Sequence, residues 1–167
     1  SSTGNKKAAQ WLQNTLPDYR VHITDAYRSS HLDSTILPLR EGVVLLNGAR
    51  VNKSNTPKLL DNWDKLYFNK PSAVCPVEIE FHKNVRLPAY HKLKDLGAVS
   101  SIGHISSPWA GLNVLSLSPD TVLVHDRQKE LIKTLEAKRF NVIPIQMRHC
   151  YTMLGGLHCV TLDVERG

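Results

Sequence analysis

The chain has 167 residues, of which 41% are hydrophobic and 22% charged, proportions that are typical of one compact globular domain. Its formal net charge is +6, but the basic residues are scattered and no nucleic-acid-binding motif is present, so nucleic acid is not an expected partner. No apolar run approaches the roughly 20 residues of a membrane helix, and the three cysteines are too few for a disulfide framework, which predicts reduced thiols in a cytoplasmic protein.

The first half of the chain alternates between helical and extended patterns. In chain order, the predicted elements are a helix over residues 5–16, a strand over 19–23, strands over 33–39 and 43–47, a short helix over 56–66, a strand over 77–81 and a helical turn over 90–96. Pro17 ends the first helix, and Gly97 ends the last turn. Arg40-Glu41-Gly42 joins the second and third strands and favours a hairpin.

The second half predicts a similar alternation. Its elements are strands over residues 112–117 and 121–125, a helix from the cap residue Asp126 to about Lys138, and strands over 140–145 and 158–164. Ser34–Asn47 and Asn113–Asp126 share one layout, because each is strand, tight turn and strand before a helical segment and a further strand. The chain is therefore predicted to be an α+β protein with ββαβ repeat units over about 31–82 and 112–164.

The segment Leu154-Gly-Gly-Leu-His-Cys159 has the features of a site that presents a thiol. Adjacent glycines allow a positive φ or close backbone packing, and a cysteine after such a turn, with histidines elsewhere, is a candidate nucleophile. A buried structural thiol is the alternative. No pairing of the eight histidines with the three cysteines has a zinc-like spacing, so no metal or other cofactor is expected, and His149 and Cys150 receive no role.

Three blocks of the sequence resemble the amidinotransferases of the pentein superfamily, in particular the glycine and inosamine-phosphate amidinotransferase group. The blocks are His31-Leu-Asp-Ser-Thr-Ile36 with the strand that follows, Ser106-Ser-Pro-Trp109 with Leu112-Asn-Val-Leu115, and Leu154-Gly-Gly-Leu-His-Cys159 with Thr161 and Asp163-Val-Glu-Arg-Gly167. They occur in family order from about Arg28 to the end of the chain. The resemblance implies part of an α/β-propeller of ββαβ modules.

The resemblance also implies a reaction and its residues. The reaction is transfer of an amidino group from arginine to an amine acceptor through a covalent amidino-cysteine. Cys159 is the nucleophile, His31 the general acid and base, and Asp33 the anchor for the amidino group. Independently of the family, a thiolate suits attack on a guanidinium carbon, and a carboxylate can hold a guanidinium through paired hydrogen bonds. Two residues apart on a strand, His31 and Asp33 are expected to project from one face.

Three further residues match substrate-binding positions of the family. Arg50 corresponds to an arginine that grips a substrate carboxylate, and a loop arginine in solvent is the alternative. Ser106 and Ser107 correspond to residues that contact the polar end of the substrate, and ordinary turn residues are the alternative. His158, beside the nucleophile, is expected to be structural.

The sequence departs from the family in length, because the family enzymes are about twice as long. The chain resembles only their C-terminal portion, as one domain over residues 1–167, and Asp18 and Asp25 match no family carboxylate. It is therefore interpreted as part of a larger enzyme, or as a small relative that assembles with other copies or modules. A pentein guanidine hydrolase or deiminase and a catalytically incomplete binding module remain alternative functions.

Overall fold

The fold is that of a computed structural model, which describes residues 4–26, 31–99, 104–162 and 164. The chain divides into two compact units. The first comprises Ser1–Pro38 and Gly42–Asn69, and the second comprises Leu39–Glu41 and Lys70–Gly167. Among the residues described, no helix is long and apolar enough to cross a membrane.

The N-terminal helix, α1 (Lys6–Thr15), confirms the helix predicted over residues 5–16. Asn5 caps it, because its Oδ1 accepts a hydrogen bond of 2.9 Å from the amide of Ala8. The strand predicted over residues 19–23 is wrong. Its backbone bonds to a side chain instead of a neighbouring strand, since the amide of Val21 donates to Oε1 of Gln13 over 2.9 Å.

The first sheet lies between residues 36 and 68. Its strands, in spatial order, are β1 (Ile36–Arg40), β2 (Val43–Asn47) and β3 (Asp64–Phe68). Gly42, with φ of +74°, connects β1 to β2 and confirms the predicted hairpin. β2 pairs in parallel with β3, and all five of its residues are buried. A parallel pair needs a long crossover, which the segment between β2 and β3 supplies.

That crossover contains a single turn of 3-10 helix, Lys58–Leu60. The helix predicted over residues 56–66 is wrong beyond this turn, because β3 begins at Asp64. Leu60 packs with Val44, Leu46 and Val51 in the core of the first unit. One well-buried leucine thus secures a connection that has little regular structure of its own.

A helical segment opens the second unit. It consists of α2 (Pro76–Phe81), a π turn (His82–Arg86) and α3 (Leu87–Asp95), after which Gly97 adopts φ of +71°. The strand predicted over residues 77–81 is therefore wrong. The alternation of apolar residues that suggested a strand does not match the observed burial, since Val77 is 66% exposed whereas the intervening Glu78 is 6% exposed. Pro76, at the start of α2, suits a helix because its φ is fixed near the helical value.

The second sheet lies between residues 115 and 145. Its strands, in spatial order, are β4 (Leu115–Ser116), β5 (Thr121–His125) and β6 (Asn141–Ile145). β4 is antiparallel to β5, and β5 is parallel to β6. The crossover helix α4 (Lys129–Ala137) buries Leu131 and Leu135. Its predicted cap is wrong, because Gln128 holds the cap position and the carboxylate of Asp126 contacts Nδ1 of His125 instead.

The end of the chain departs from the predicted strand over residues 158–164. The structure has a 3-10 turn at His158–Val160, and Thr161 and Leu162 belong to no strand. Asp163 and residues 165–167, which belong to the third sequence block, lie outside the described residues, as does Arg28. The amide of His158 donates to the carbonyl of Asn113, and the amide of Cys159 donates to its Oδ1, so neither amide is available to a neighbouring strand. The observed architecture is mixed α+β.

Candidate active site

Cys159 lies exposed on the turn that follows the two glycines. One buried residue, Asn113, binds the backbone of this turn through both its side chain and its own carbonyl. The Oδ1 of Asn113 accepts a hydrogen bond of 2.9 Å from the amide of Cys159, and its carbonyl accepts one of 3.4 Å from the amide of His158. The backbone that carries the thiol is therefore fixed, while the thiol itself is presented at the surface.

The two glycines before this turn differ in how closely other atoms approach them. A Cβ atom at Gly156 would lie 2.5 Å from Cβ of Asn113 and 2.9 Å from the carbonyl oxygen of Ala110, so only glycine lets the chain approach Asn113 this closely. At Gly155 the nearest atom would be Cβ of Cys159 at 3.4 Å, an ordinary contact. The close approach predicted for this pair is confirmed at Gly156 alone.

Cys150–Thr152, which precede the glycines, are buried and held by two side chains and one backbone amide from elsewhere in the chain. The Oε2 of Glu78, on α2, accepts hydrogen bonds from the amides of Tyr151 (3.0 Å) and Thr152 (3.2 Å). The hydroxyl of Tyr151 accepts one of 2.8 Å from Nε2 of Gln128, and its carbonyl accepts one of 2.8 Å from the amide of Ser106. Hydrogen bonds therefore hold the buried residues that precede the Cys159 turn in the chain.

Ser106 and Ser107 lie in the loop that leads to Asn113. The Oγ of Ser107 accepts a hydrogen bond of 3.2 Å from the amide of Trp109 and caps the 3-10 helix Pro108–Leu112. Ser106 is joined to Tyr151 through its backbone. The structure therefore brings the predicted serines into the surroundings of the Cys159 turn, and gives Ser107 a structural contact as well.

His31 and Asp33 lie in the first unit, at a turn and not on a strand. The amides of Thr35 and Ile36 both bond to the carbonyl of Leu32 over 2.8 Å, which makes residues 32–35 one helical turn before β1. The expectation that alternation on a strand would place His31 and Asp33 on one face is therefore wrong. His31 is exposed and Asp33 is half-buried.

Arg50 is held against that same turn. Its Nη1 donates a hydrogen bond of 2.7 Å to Oγ1 of Thr35, whose side chain is buried, and its amide bonds to the carbonyl of Asn47 at the end of β2 over 2.9 Å. This rules out the alternative of a loop arginine surrounded only by solvent. The first unit thus gathers His31, Asp33 and Arg50 around one turn.

Asn113 is the residue that the sequence interpretation missed. It stands within the block Leu112-Asn-Val-Leu115, which was matched to the family without a role for the asparagine. No motif in the sequence marks this role, because the burial of the amide and its hydrogen-bond partners are seen only in the fold.

A second thiol, Cys150, lies nine positions before Cys159 in a different environment. It is buried, and burial, with a smaller contribution from the charge of Glu78, raises the pKa of its thiol to about 12. All three cysteines of the chain are described, and none forms a disulfide, as predicted. Cys150 is therefore protonated and unreactive at neutral pH.

Comparisons with known proteins show which families the chain is similar to. The arginine deiminase family model matches residues 97–166. Inosamine-phosphate amidinotransferase 1 of Streptomyces glaucescens is 41% identical over 99% of this chain and 42% of its own length. The solved inosamine-phosphate amidinotransferase StrB1 of Streptomyces griseus superposes with a TM-score of 0.77 at 39% identity, covering 99% of this chain and 42% of that one.

A third match is the solved structure of SxtG, an amidinotransferase from Microseira wollei in the saxitoxin biosynthetic pathway. It has a TM-score of 0.72 at 32% identity and covers 97% of this chain and 39% of that one. Over nearly its whole length the chain is similar to inosamine-phosphate amidinotransferases, and its residues 97–166 are similar to the arginine deiminase family. It spans about two fifths of the length of the curated relatives it matches.

Proposed function

We propose that this chain takes part in amidinotransfer from arginine to an amine acceptor, with Cys159 as the nucleophile. The observation that carries the proposal is the presentation of the Cys159 thiol on a turn whose backbone is fixed by Asn113. The relationship to amidinotransferases over nearly the whole chain supports the assignment.

The proposed reaction has two halves. The Cys159 thiolate attacks the central guanidinium carbon of arginine, the bond from that carbon to the side-chain nitrogen breaks, and ornithine leaves with a proton from His31. The amidino group is now bonded to Sγ of Cys159. The acceptor amine then loses a proton to His31 and attacks the same carbon, which releases the amidinated product and restores the thiolate.

The binding roles follow the same resemblance. Asp33 holds the guanidinium through charge-assisted hydrogen bonds, and Arg50 pairs with a substrate carboxylate. The contact between Arg50 and Thr35 supports this role because it orients the guanidinium at the turn that carries Asp33. Ser106 and Ser107 contact the polar end of the substrate. The hydroxyl of Ser107 can still donate, since its capping bond uses it as an acceptor.

The proposal includes pentein architecture for the two repeat units over residues 31–82 and 112–164. In support, each sheet has a middle strand that pairs in parallel with the third strand. The catalytic centre of such an enzyme draws carboxylates from several modules, so we propose that activity requires further modules or further copies of the chain. A reducing compartment such as the cytoplasm is part of the proposal, because the nucleophile works as a thiolate.

A second candidate function is deimination of arginine, in which water takes the place of the acceptor amine. The match of residues 97–166 to the arginine deiminase model favours it specifically. Both reactions begin with attack of the Cys159 thiolate on the guanidinium carbon. In deimination ammonia leaves in place of ornithine, and water then attacks the carbon that is bonded to Sγ, which releases citrulline and restores the thiolate.

The test is to incubate the protein with L-arginine and one of several amines, such as glycine, lysine or an aminocyclitol phosphate, and to measure ornithine, citrulline and ammonia. We expect ornithine that depends on the amine, and an amidino group on Cys159 by intact-protein mass spectrometry when the amine is omitted. Cys159→Ala and His31→Asn should abolish turnover, whereas Cys75→Ala, which removes a buried thiol, should retain it. Citrulline would favour the deiminase, and absence of both products and adduct when the further modules or copies are present would favour a binding module.

A further inference from the structure

Three buried residues that the proposed reaction does not use meet inside the second unit. They are Glu78 on α2, His125 at the end of β5 and Cys150, and they are 6%, 4% and 4% exposed. A carboxylate oxygen of Glu78, a ring nitrogen of His125 and Sγ of Cys150 all lie within 4.8 Å of one another. We propose that this Glu78–His125–Cys150 cluster is a structural binding site for a zinc ion.

The hydrogen bonding of His125 prepares it as a metal ligand. Its Nδ1 contacts both a carboxylate oxygen of Asp126, at 2.9 Å, and the amide of Arg127, at 3.2 Å. The Asp126 contact is shorter and charge-assisted, and a carboxylate can only accept, so it favours the tautomer that carries its proton on Nδ1. The lone pair is then on Nε2, which is buried and has no hydrogen-bond partner among the residues the structure describes. A carboxylate behind a histidine is a common arrangement around protein-bound zinc, because it fixes the ring and strengthens the ligand.

The unpartnered Nε2 is an independent indication of a ligand. A buried polar atom without a partner destabilises a protein, and the contact of Nδ1 with Asp126 opposes a ring flip that would exchange the two nitrogens. A cation bound at Nε2 would satisfy the lone pair that the described residues leave without a hydrogen bond.

The charges of the cluster also favour a divalent cation. Glu78 is a buried carboxylate whose Oε2 accepts two backbone amides, and it lies beside the buried thiol of Cys150. A bound zinc ion would be held by one carboxylate, one thiolate and one neutral imidazole, which balance its two positive charges.

The types of ligand select the metal. Thiolate and imidazole together favour zinc over the hard cations magnesium and calcium, which prefer oxygen. Zinc–sulfur and zinc–nitrogen bonds of about 2.3 and 2.1 Å require the three ligand atoms to move somewhat closer than their 4.8 Å limit. Glu78 also lines a cavity of about 350 Å³ beside Arg127, Met147 and His149.

The position of the cluster gives the ion a structural consequence. It would join α2, the end of β5 and the buried segment that precedes the Cys159 turn. No metal-binding spacing in the sequence indicates this site, because its ligands come from three separate parts of the chain and include a glutamate. The expectation of no metal rested on the spacing of histidines and cysteines alone.

The test measures metal content and spectra, and needs no enzymatic activity. The full chain, purified without a metal-affinity step and dialysed against micromolar zinc, should retain one zinc per chain by atomic emission. Cobalt substitution should give the charge-transfer absorption of a thiolate–cobalt bond. Cys150→Ser and His125→Gln should each lose at least tenfold in zinc affinity, whereas Cys159→Ser should keep the wild-type value.

Each other outcome overturns the proposal. No retained zinc, zinc that survives Cys150→Ser, or zinc that is lost in Cys159→Ser would show that the cluster does not bind the metal. If Cys150→Ser does not fold, as judged by circular dichroism, Glu78→Gln and the cobalt spectrum of the wild-type chain decide the question. A cobalt spectrum without the thiolate band contradicts the site.

Discussion

The two ends of the loop that carries the candidate nucleophile have opposite environments. At its buried end, Cys150–Thr152, the thiol and the backbone amides face Glu78 inside the second unit. At its exposed end, His158–Val160, the backbone is held by Asn113 and the thiol of Cys159 is at the surface. The two thiols of this loop therefore differ in accessibility: that of Cys150 is buried near Glu78, whereas Cys159 is exposed on a turn held by Asn113.

The largest expected difference is in alkylation of the two thiols by iodoacetamide at pH 8. Because its pKa of about 12 keeps Cys150 protonated, its thiolate fraction should be lower than that of an ordinary exposed thiol by on the order of 10³. We expect Cys159 to be modified first in the folded protein, and Cys150 only after unfolding. Peptide mass spectrometry over time measures both rates.

Cys159→Ser provides the control for this experiment. It should remove the fast phase and leave the slow one unchanged. Equal rates for the two thiols in the folded wild-type protein would break the comparison, because they would mean that the buried end opens as readily as the exposed end.

The next effect concerns the glycines between the two ends. Gly156→Ala places a methyl group against Asn113 and Ala110, and we expect a loss of about 1–3 kcal/mol in the free energy of unfolding. Gly155→Ala meets only ordinary contacts and should change stability by about 0.5 kcal/mol or less. Urea denaturation of the pair measures both values, and equal effects would contradict the asymmetric anchoring.

The smallest effect separates the two serines. Ser107→Ala removes the cap of the 3-10 helix that leads to Asn113, and should destabilise the fold by about 0.5–1 kcal/mol. Ser106→Ala keeps the backbone bond to Tyr151 and should leave the thermal midpoint nearly unchanged. If both serines also bind substrate, each variant should raise the KM for arginine, an effect that capping alone does not produce.

Elements with a local signal were predictable from the sequence. The strand predicted over residues 121–125 coincides with β5, and α1 lies within its predicted range, because apolar periodicity and a capping residue are properties of neighbouring positions. The strands predicted over residues 77–81 and 158–164 are wrong for one reason. Distant partners decide both: the side chain of Glu78 is buried because it accepts the amides of residues 151 and 152, and the amide of Cys159 donates to Asn113.

The candidate site shows the same division. Cys159 could be selected from its glycines and its family block, and its exposure agrees with that selection. The roles of His31 and Asp33 remain predictions, and the segment that carries them is a turn and not the expected strand. Asn113 and the Glu78–His125–Cys150 cluster could not be found, because hydrogen bonding and ligand geometry between distant residues leave no periodic trace.

The anchoring of Tyr151 and Thr152 by Glu78 has a consequence for folding order. These hydrogen bonds join residues that are separated by 73 and 74 positions in the chain. The strands β5 and β6 are much closer in sequence, since Thr121 pairs with Asn141. Closing a longer loop loses more chain entropy, so contacts of high sequence separation form late. We therefore expect the second sheet to assemble first, and the segment that carries Cys159 to take its final conformation only after α2 has docked.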